Sequence, residues 1–183
     1  MRDTRYEILH FWFDEVQPAQ WFQSNPALDA QITEKFQPTY EMAKDGLCDH
    51  WASEPDGALA LVILLDQFPR HMFRGRPESY ATDRKALLIA KEAIKKGFDQ
   101  ILEPVKRGFL YVPFQHSEEL RDQNRSVELM KGMGSDNPAG LQYAVRHRNV
   151  IEKFGRFPHR NEVLGRISTT DELEHLKKNP MGF

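Results

Sequence analysis

Three short segments of this sequence concentrate the residue types that perform chemistry in proteins. The first spans 65–75 and contains Asp66, Arg70 and Arg74. Asp66 directly follows an apolar run, at the predicted carbonyl end of a buried helix, where a carboxylate needs a cation or a hydrogen-bond donor as its partner. Two hypotheses stay open for this segment: a buried ion pair that fixes the helix end, or a carboxylate and arginines that line a pocket.

The second segment spans 113–124 and centres on a histidine. His116 is a candidate general base because the pKa of an unperturbed imidazole lies near neutrality, and Glu118 is a candidate catalytic carboxylate beside it. Ser117 stands between them, but adjacency in sequence is not the geometry of a catalytic triad, and helix capping explains it better. Gln123 falls near the apolar stripe of its predicted helix, where an amide needs partners, and is a candidate ligand-binding residue.

The third segment is the most distinctive and is rich in basic residues. His147 lies on the apolar side of its predicted helix, which suits either a core histidine or a second candidate base. Arg156 and Arg160 flank a proline turn, where guanidinium groups could clamp a carboxylate or phosphate, or instead bond the carbonyl groups of neighbouring helices. His159 and Asn161 are the other ligand-binding candidates of this segment.

Motifs that would specify a reaction are missing from the sequence. It has no HExxH, no paired CxxC, no Gly-rich phosphate loop and no GxSxG. His116, His147 and His159 could converge on a metal ion with Asp66 or Glu118, but their spacing specifies no coordination geometry. We therefore predict no metal site and assign no cofactor.

Composition narrows the classes of protein to which the chain can belong. Basic and acidic residues are well mixed over 183 residues, with a formal net charge of −2, so no global field favours nucleic acid or an anionic membrane. The longest apolar run, 58–65, is far shorter than the roughly 20 residues of a membrane span. No secretory signal heads the chain, and Cys48 is the only cysteine, so we expect a soluble cytoplasmic protein with one domain over 1–183.

Helix start and stop signals recur along the whole chain. The Asn–Pro pairs at 25–26 and 137–138 place a capping side chain before a proline at the first helical position, and Thr169 with Glu172 has capping-box spacing. The run 58–65 is apolar on every side, and its alanines and leucines favour a central buried helix over a strand. We predict an all-α fold of eight or nine helices.

Two local boundaries follow from the same signals. We expect a helix after Pro104 to close before Pro113, and Ser117 to precede the next helix with acidic residues in its first turn. Thr82 or Asp83 is expected to cap the helix that carries Ala86 and Leu87.

The segments LDQFPRHMFRG, PFQHSE and FGRFPHRNEVLGRIST, together with the opening ILHFWF, resemble the bacterial family called domain of unknown function 924. The likeness spans essentially the whole chain and implies antiparallel helix pairs in a tetratricopeptide-like domain. This sequence has His71 where the family pattern suggests asparagine, which puts any role for position 71 in doubt. The resemblance implies a fold and no chemistry.

Three functions from different classes are compatible with these observations. In the first, the polar segments form a pocket for a small anionic molecule, and the protein binds it or acts on it as an enzyme. The second is a protein-interaction module that holds a partner protein or peptide, as tetratricopeptide-like folds often do. In the third, the polar motifs are interhelical hydrogen-bond networks with a purely structural role. The sequence leaves the oligomeric state open.

Overall fold

The fold was obtained as a computed structural model that describes residues 3–180 together with 182 and 183. Within these residues every regular element is helical, which confirms the predicted all-α class. The α-helices are α1 Thr4–His10, α2 Pro26–Lys44, α3 Pro55–Val62, α4 Phe68–Met72, α5 Asp83–Lys95, α6 Pro104–His116, α7 Leu120–Gly132, α8 Pro138–Phe154 and α9 Thr170–Lys178. The tetratricopeptide-like arrangement is not tested by these elements and stays a prediction. No described helix combines the length and the apolar character that a membrane span requires.

The capping signals read from the sequence are present in the structure. The side chain of Asn25 accepts hydrogen bonds from the first backbone N–H groups of α2, and that of Asn137 accepts one at the start of α8. Thr169 and Glu172 form a reciprocal capping box at α9. Gly155 ends α8 in the left-handed conformation that glycine adopts at low cost.

The apolar run forms part of one long buried helix. The π-helical segment Ile63–Gln67 joins α3 to α4 without a break, so the described residues form eight continuous helices. Asp66 therefore lies inside a helix, and the prediction that it stands at a helix end was wrong. The wide π turn accommodates Pro69, whose ring would crowd the carbonyl of Leu65; that carbonyl instead accepts a hydrogen bond of 2.5 Å from the Thr82 hydroxyl.

Two further helix boundaries and one helix cap differ from those expected. α6 continues through Pro113 to His116, because burial of Phe109, Leu110 and Phe114 outweighs the proline penalty. α7 begins only at Leu120, so Glu118 and Glu119 precede it instead of filling its first turn. The expected capping role of Thr82 is also absent, because its hydroxyl donates to Leu65.

Two apolar clusters hold these helices together. α3 is the centre of the larger one and packs against α1, α5 and α6. A smaller cluster of Val150, Ile151 and Phe157, with Phe154 and Phe183 against it, fixes the turn after α8. This small cluster positions the third polar segment beside the end of α6 and the π turn.

Candidate functional site

The Asp66 carboxylate and the His116 imidazole form the innermost polar contact. Asp66 is completely buried, and its Oδ2 lies 2.7 Å from Nδ1 of His116. Because a carboxylate only accepts hydrogen bonds, Nδ1 carries the proton and Nε2 of the neutral ring is free to accept one. Gln67 donates a further hydrogen bond to Asp66. The π turn brings both residues of the central helix to the end of α6.

Opposing electrostatic effects fix the charges of this pair. Burial raises the pKa of Asp66, but the charge of Arg70, 3.7 Å away, and the contact with His116 outweigh it and lower that pKa to about 2. For His116, burial and repulsion from Arg70 outweigh the attraction of Asp66 and lower the pKa. At neutral pH the pair is thus an ionised carboxylate that orients a neutral imidazole.

Two arginines share one carboxylate beside this pair. Arg70 binds Asp83 with both terminal nitrogens, at 2.9 and 3.0 Å. Arg160 reaches the same carboxylate only at 3.4 Å, although it is just 6% exposed. Its guanidinium lies between the rings of Tyr80 and Phe157, 4.6 Å from each centroid. Its Nε is buried with no hydrogen-bond partner among the described residues.

His147 brings a second neutral imidazole against the first. Its Nδ1 lies 2.8 Å from the backbone oxygen of Tyr143, so Nδ1 donates and Nε2 stays unprotonated. The ring centroids of His116 and His147 are 6.3 Å apart. Burial, with His116 and Arg160 adding to it, lowers the pKa of His147 to about 3.

His159, which lies in the proline turn after α8, is the last member of this group. Its ring lies 5.5 Å from that of Phe157, and its buried Nδ1 has no partner among the residues that the structure describes. Burial, followed by repulsion from Arg160, lowers its pKa to about 4. We call this group the histidine–arginine cluster; its members are Asp66, Arg70, Asp83, His116, His147, His159 and Arg160.

A second polar group lies next to the cluster and is built around two paired glutamates, although Nε of Arg166 and Oδ1 of Asn161 are buried without a partner among the described residues. Glu172, only 2% exposed, accepts two hydrogen bonds from Arg156 at 2.7 and 2.8 Å, and others from Asn161 and the Thr169 backbone. Glu118 accepts from both terminal nitrogens of Arg166 and from the Phe157 backbone. We call this group the glutamate network; its members are Glu118, Arg156, Asn161, Arg166 and Glu172.

The structure therefore divides the residues predicted from sequence into two sets. Six come together in the histidine–arginine cluster: Asp66, Arg70, His116, His147, His159 and Arg160. Glu118, Arg156 and Asn161 instead belong to the glutamate network. Arg74 lies elsewhere, paired with Asp29 at 2.8 Å, and Gln123 donates to the last carbonyls of α6.

Sequence reasoning missed several residues that the structure places here. Asp83 was considered only as a helix cap, and its acidic character in the first turn of α5 gave no sign of its two arginine partners. Tyr80 and Phe183 were not considered at all. Phe183 lies 4.0 Å from the ring of His147, so it covers the cluster on one side.

No three histidine, cysteine or acidic side chains within residues 3–180, 182 and 183 are arranged to hold a metal ion. The side chains of the cluster can themselves provide proton transfer and charge stabilisation. His116 supplies an oriented acceptor nitrogen, and Arg160 supplies a buried cation with unused donor capacity. Nearby, a surface cavity of about 210 Å³ opens beside Phe183, and a second of about 280 Å³ lies between Lys153 and α9.

Comparisons with known proteins agree with this fold. The model of a family described as bacterial protein of unknown function (DUF924) matches residues 8–180. A solved structure of a protein of unknown function, ATU0120 from Agrobacterium tumefaciens, is 38% identical, with a TM-score of 0.90 over 96% of this chain and 97% of that one. No curated protein matches the chain at a significant level.

Proposed function

The chain belongs to the bacterial DUF924 family, and from the geometry of the histidine–arginine cluster we propose that it binds a small anionic molecule there. Arg160 carries the proposal. It is a buried guanidinium whose contact with Asp83 is long and shared with Arg70, and its Nε has no partner in the described part of the chain. The rings of Tyr80 and Phe157 stabilise this charge but accept no conventional hydrogen bond, and a bound carboxylate or phosphate would supply the missing acceptors.

The neighbouring imidazoles support the same ligand chemistry. His159, next to Arg160 in the chain, has a buried Nδ1 that finds no partner among residues 3–180, 182 and 183. Because the pKa of His159 is lowered to about 4, this ring is neutral at pH 7 and donates to an anion through one nitrogen. The site then holds its ligand mainly through the charge of Arg160.

The cluster also supports a chemical role beyond binding. Asp66 holds the proton of His116 on Nδ1 and so directs the basic Nε2 away from itself. An imidazole that is neutral and oriented by a buried carboxylate is equipped to remove a proton from a bound molecule, while Arg160 stabilises the negative charge that develops. We propose His116 as the general base, Asp66 as its positioning residue and Arg160 as the anion-binding residue.

A thermal-shift experiment tests binding directly. We expect inorganic phosphate or acetate, at 100 times its dissociation constant, to add about 2.7 kcal/mol of stability, which corresponds to roughly 5–10 °C in Tm for a chain of this size. Arg160→Met should abolish the shift. The exposed Arg125, paired with Glu128 on the surface, provides a control of equal charge change, and Arg125→Met should keep the shift.

Either of two outcomes would contradict the proposal. One is a shift that survives intact in Arg160→Met, which would place the anion elsewhere. The other is no shift across a broad panel of carboxylates and phosphates, which would favour the protein-interaction module that the sequence left as the alternative.

A further inference from the structure

A surface cavity adjoins the histidine–arginine cluster. It measures about 210 Å³ and opens along α8, with Val150, Phe154 and Phe183 as its apolar wall. Arg146 and Lys153 lie on its rim, and neither forms an ion pair with any residue in the described part of the chain. A cavity with an apolar wall and a cationic rim suits an anion that carries a short apolar substituent.

The ring of Phe183 forms the wall between this cavity and the cluster. One side of Phe183 lines the cavity. The ring also lies 4.0 Å from His147, and its centroid is 6.0 Å from that of His159. The same side chain therefore separates the opening from two of the three imidazoles.

Gly182 holds this arrangement tightly against His159. Its φ of +97° lies in the region that favours glycine, and a Cβ built there would come within 2.1 Å of the His159 Nδ1. Its carbonyl oxygen lies 3.1 Å from Nε2 of His175 on α9. Gly182 and Phe183 thus cover both imidazoles as one short strap.

We propose that Phe183 is a gate, and that its outward rotation joins the surface cavity to the cluster. This inference rests on the proposed anion-binding function, and it adds the route and the class of ligand. Arg146 and Lys153 attract the anionic group to the opening, Arg160 receives it inside, and the apolar substituent stays against Val150 and Phe154. In the closed position Phe183 excludes water from His147.

Chemical modification of the histidines tests the gate without any ligand. Diethyl pyrocarbonate acylates accessible neutral imidazoles, and peptide mass spectrometry assigns the rate to each histidine. We expect Phe183→Ala to raise the rates at His147 and His159 at least tenfold. Phe154→Ala removes an equal ring from the same cavity without uncovering His147, so its rates should stay within twofold of the original protein.

Gly182→Ala provides an independent variant, because its added Cβ has no room against His159 and must displace the strap. It should raise both rates as Phe183→Ala does, with circular dichroism confirming that each variant is folded. Equal rates in the original protein and in both strap variants would overturn the gate, whatever the binding data show.

Protection by carboxylates then separates the gate from the binding function. Hexanoate should slow modification of His147 and His159 more strongly than acetate at equal concentration. Only hexanoate has an alkyl chain long enough to pack against the apolar wall of the cavity. A tenfold faster reaction in Phe183→Ala, with no protection by either carboxylate, would support the gate and overturn anion binding. Equal protection by both would overturn the proposed class of ligand.

Discussion

Arg156 and Arg160 stand four residues apart around the same proline turn, yet their surroundings are opposite. Arg156 binds both oxygens of Glu172 and also donates to the Ile167 carbonyl at 2.9 Å. Arg160 is more deeply buried, but its contact with a carboxylate is longer, at 3.4 Å, and its Nε has no partner among the residues described. In the glutamate network Arg156 is held by a close two-point contact with a glutamate, whereas in the histidine–arginine cluster Arg160 has only a long contact that it shares with Arg70.

The pKa values of buried groups also differ between the two regions. Within the glutamate network, charges are matched, and hydrogen bonds from Arg156 lower the pKa of Glu172 to about 2, which favours the folded state above that pH. Within the cluster, burial lowers the pKa values of His147 and His159, which works against stability when they are protonated. Buried histidines of this kind reduce the stability of the fold when they are protonated. Groups that reduce stability in this way are expected at catalytic and binding sites.

The largest expected effect comes from breaking the glutamate network. Glu172→Gln leaves the partly exposed Arg156 without its charge partner, and we expect a loss of about 2–3 kcal/mol in the free energy of unfolding, less than for a fully buried pair. Urea unfolding measures it. Glu174 is exposed two residues away, and Glu174→Gln should change stability by less than about 0.5 kcal/mol. A loss below about 1 kcal/mol for Glu172→Gln would remove the contrast between the two regions.

The next effect is a pH dependence that arises in the cluster. The folded pKa values of His147 and His159 lie below that of an unfolded histidine near 6.5, so the unfolded state binds more protons as the pH falls. Stability should therefore fall from pH 7 to pH 5, by about 1–2 kcal/mol per histidine. The loss continues until the pH reaches each folded pKa, at about 4 and about 3.

Urea unfolding at pH 7 and pH 5 measures this loss of stability. In His147→Gln the loss should be smaller by the contribution of one histidine, about 1–2 kcal/mol. His50 is exposed, and His50→Gln serves as the control for losing a histidine from the surface. The lowered pKa values of His116 and His71 act in the same direction, so some dependence should persist in His147→Gln. An unchanged slope in His147→Gln would mean that this imidazole does not resist protonation as its burial implies.

Local signals in the sequence were sufficient for most of the helix starts. Three capping side chains accept hydrogen bonds from backbone N–H groups only two or three residues away: Asn25, Asn137 and Thr169. Contacts this local can be predicted from the neighbouring residues alone. The π turn was not predictable in this way. It accommodates Pro69, and the Leu65 carbonyl that it frees accepts a hydrogen bond from the Thr82 hydroxyl, 17 positions away, which hydrophobic periodicity does not reveal.

In the site, too, features that depend on neighbouring residues could be predicted from the sequence, and features that depend on distant contacts could not. The burial of Asp66 and His147 followed from their apolar surroundings in sequence. Which arginine would be paired did not, because Arg156 and Arg160 flank one turn and differ only in the direction in which each leaves it. Arg156 meets Glu172 and Arg160 meets Asp83, 77 positions away, so only the tertiary structure distinguishes a structural arginine from an available one.

The smallest expected effect on stability is the most informative about the comparison. Arg160→Met replaces a poorly paired buried cation with an apolar chain between Tyr80 and Phe157, while Asp83 keeps both hydrogen bonds from Arg70. We expect a change below about 1 kcal/mol, or a gain, because an apolar replacement of a buried charge is often neutral or stabilising. Arg156→Met should cost at least as much as Glu172→Gln, because it leaves the buried Glu172 carboxylate without its charge partner. Urea unfolding of the two variants in parallel tests this difference. Equal losses of stability would assign Arg160 the same structural role as Arg156. A smaller loss in Arg160→Met would agree with a charge that is kept for a ligand.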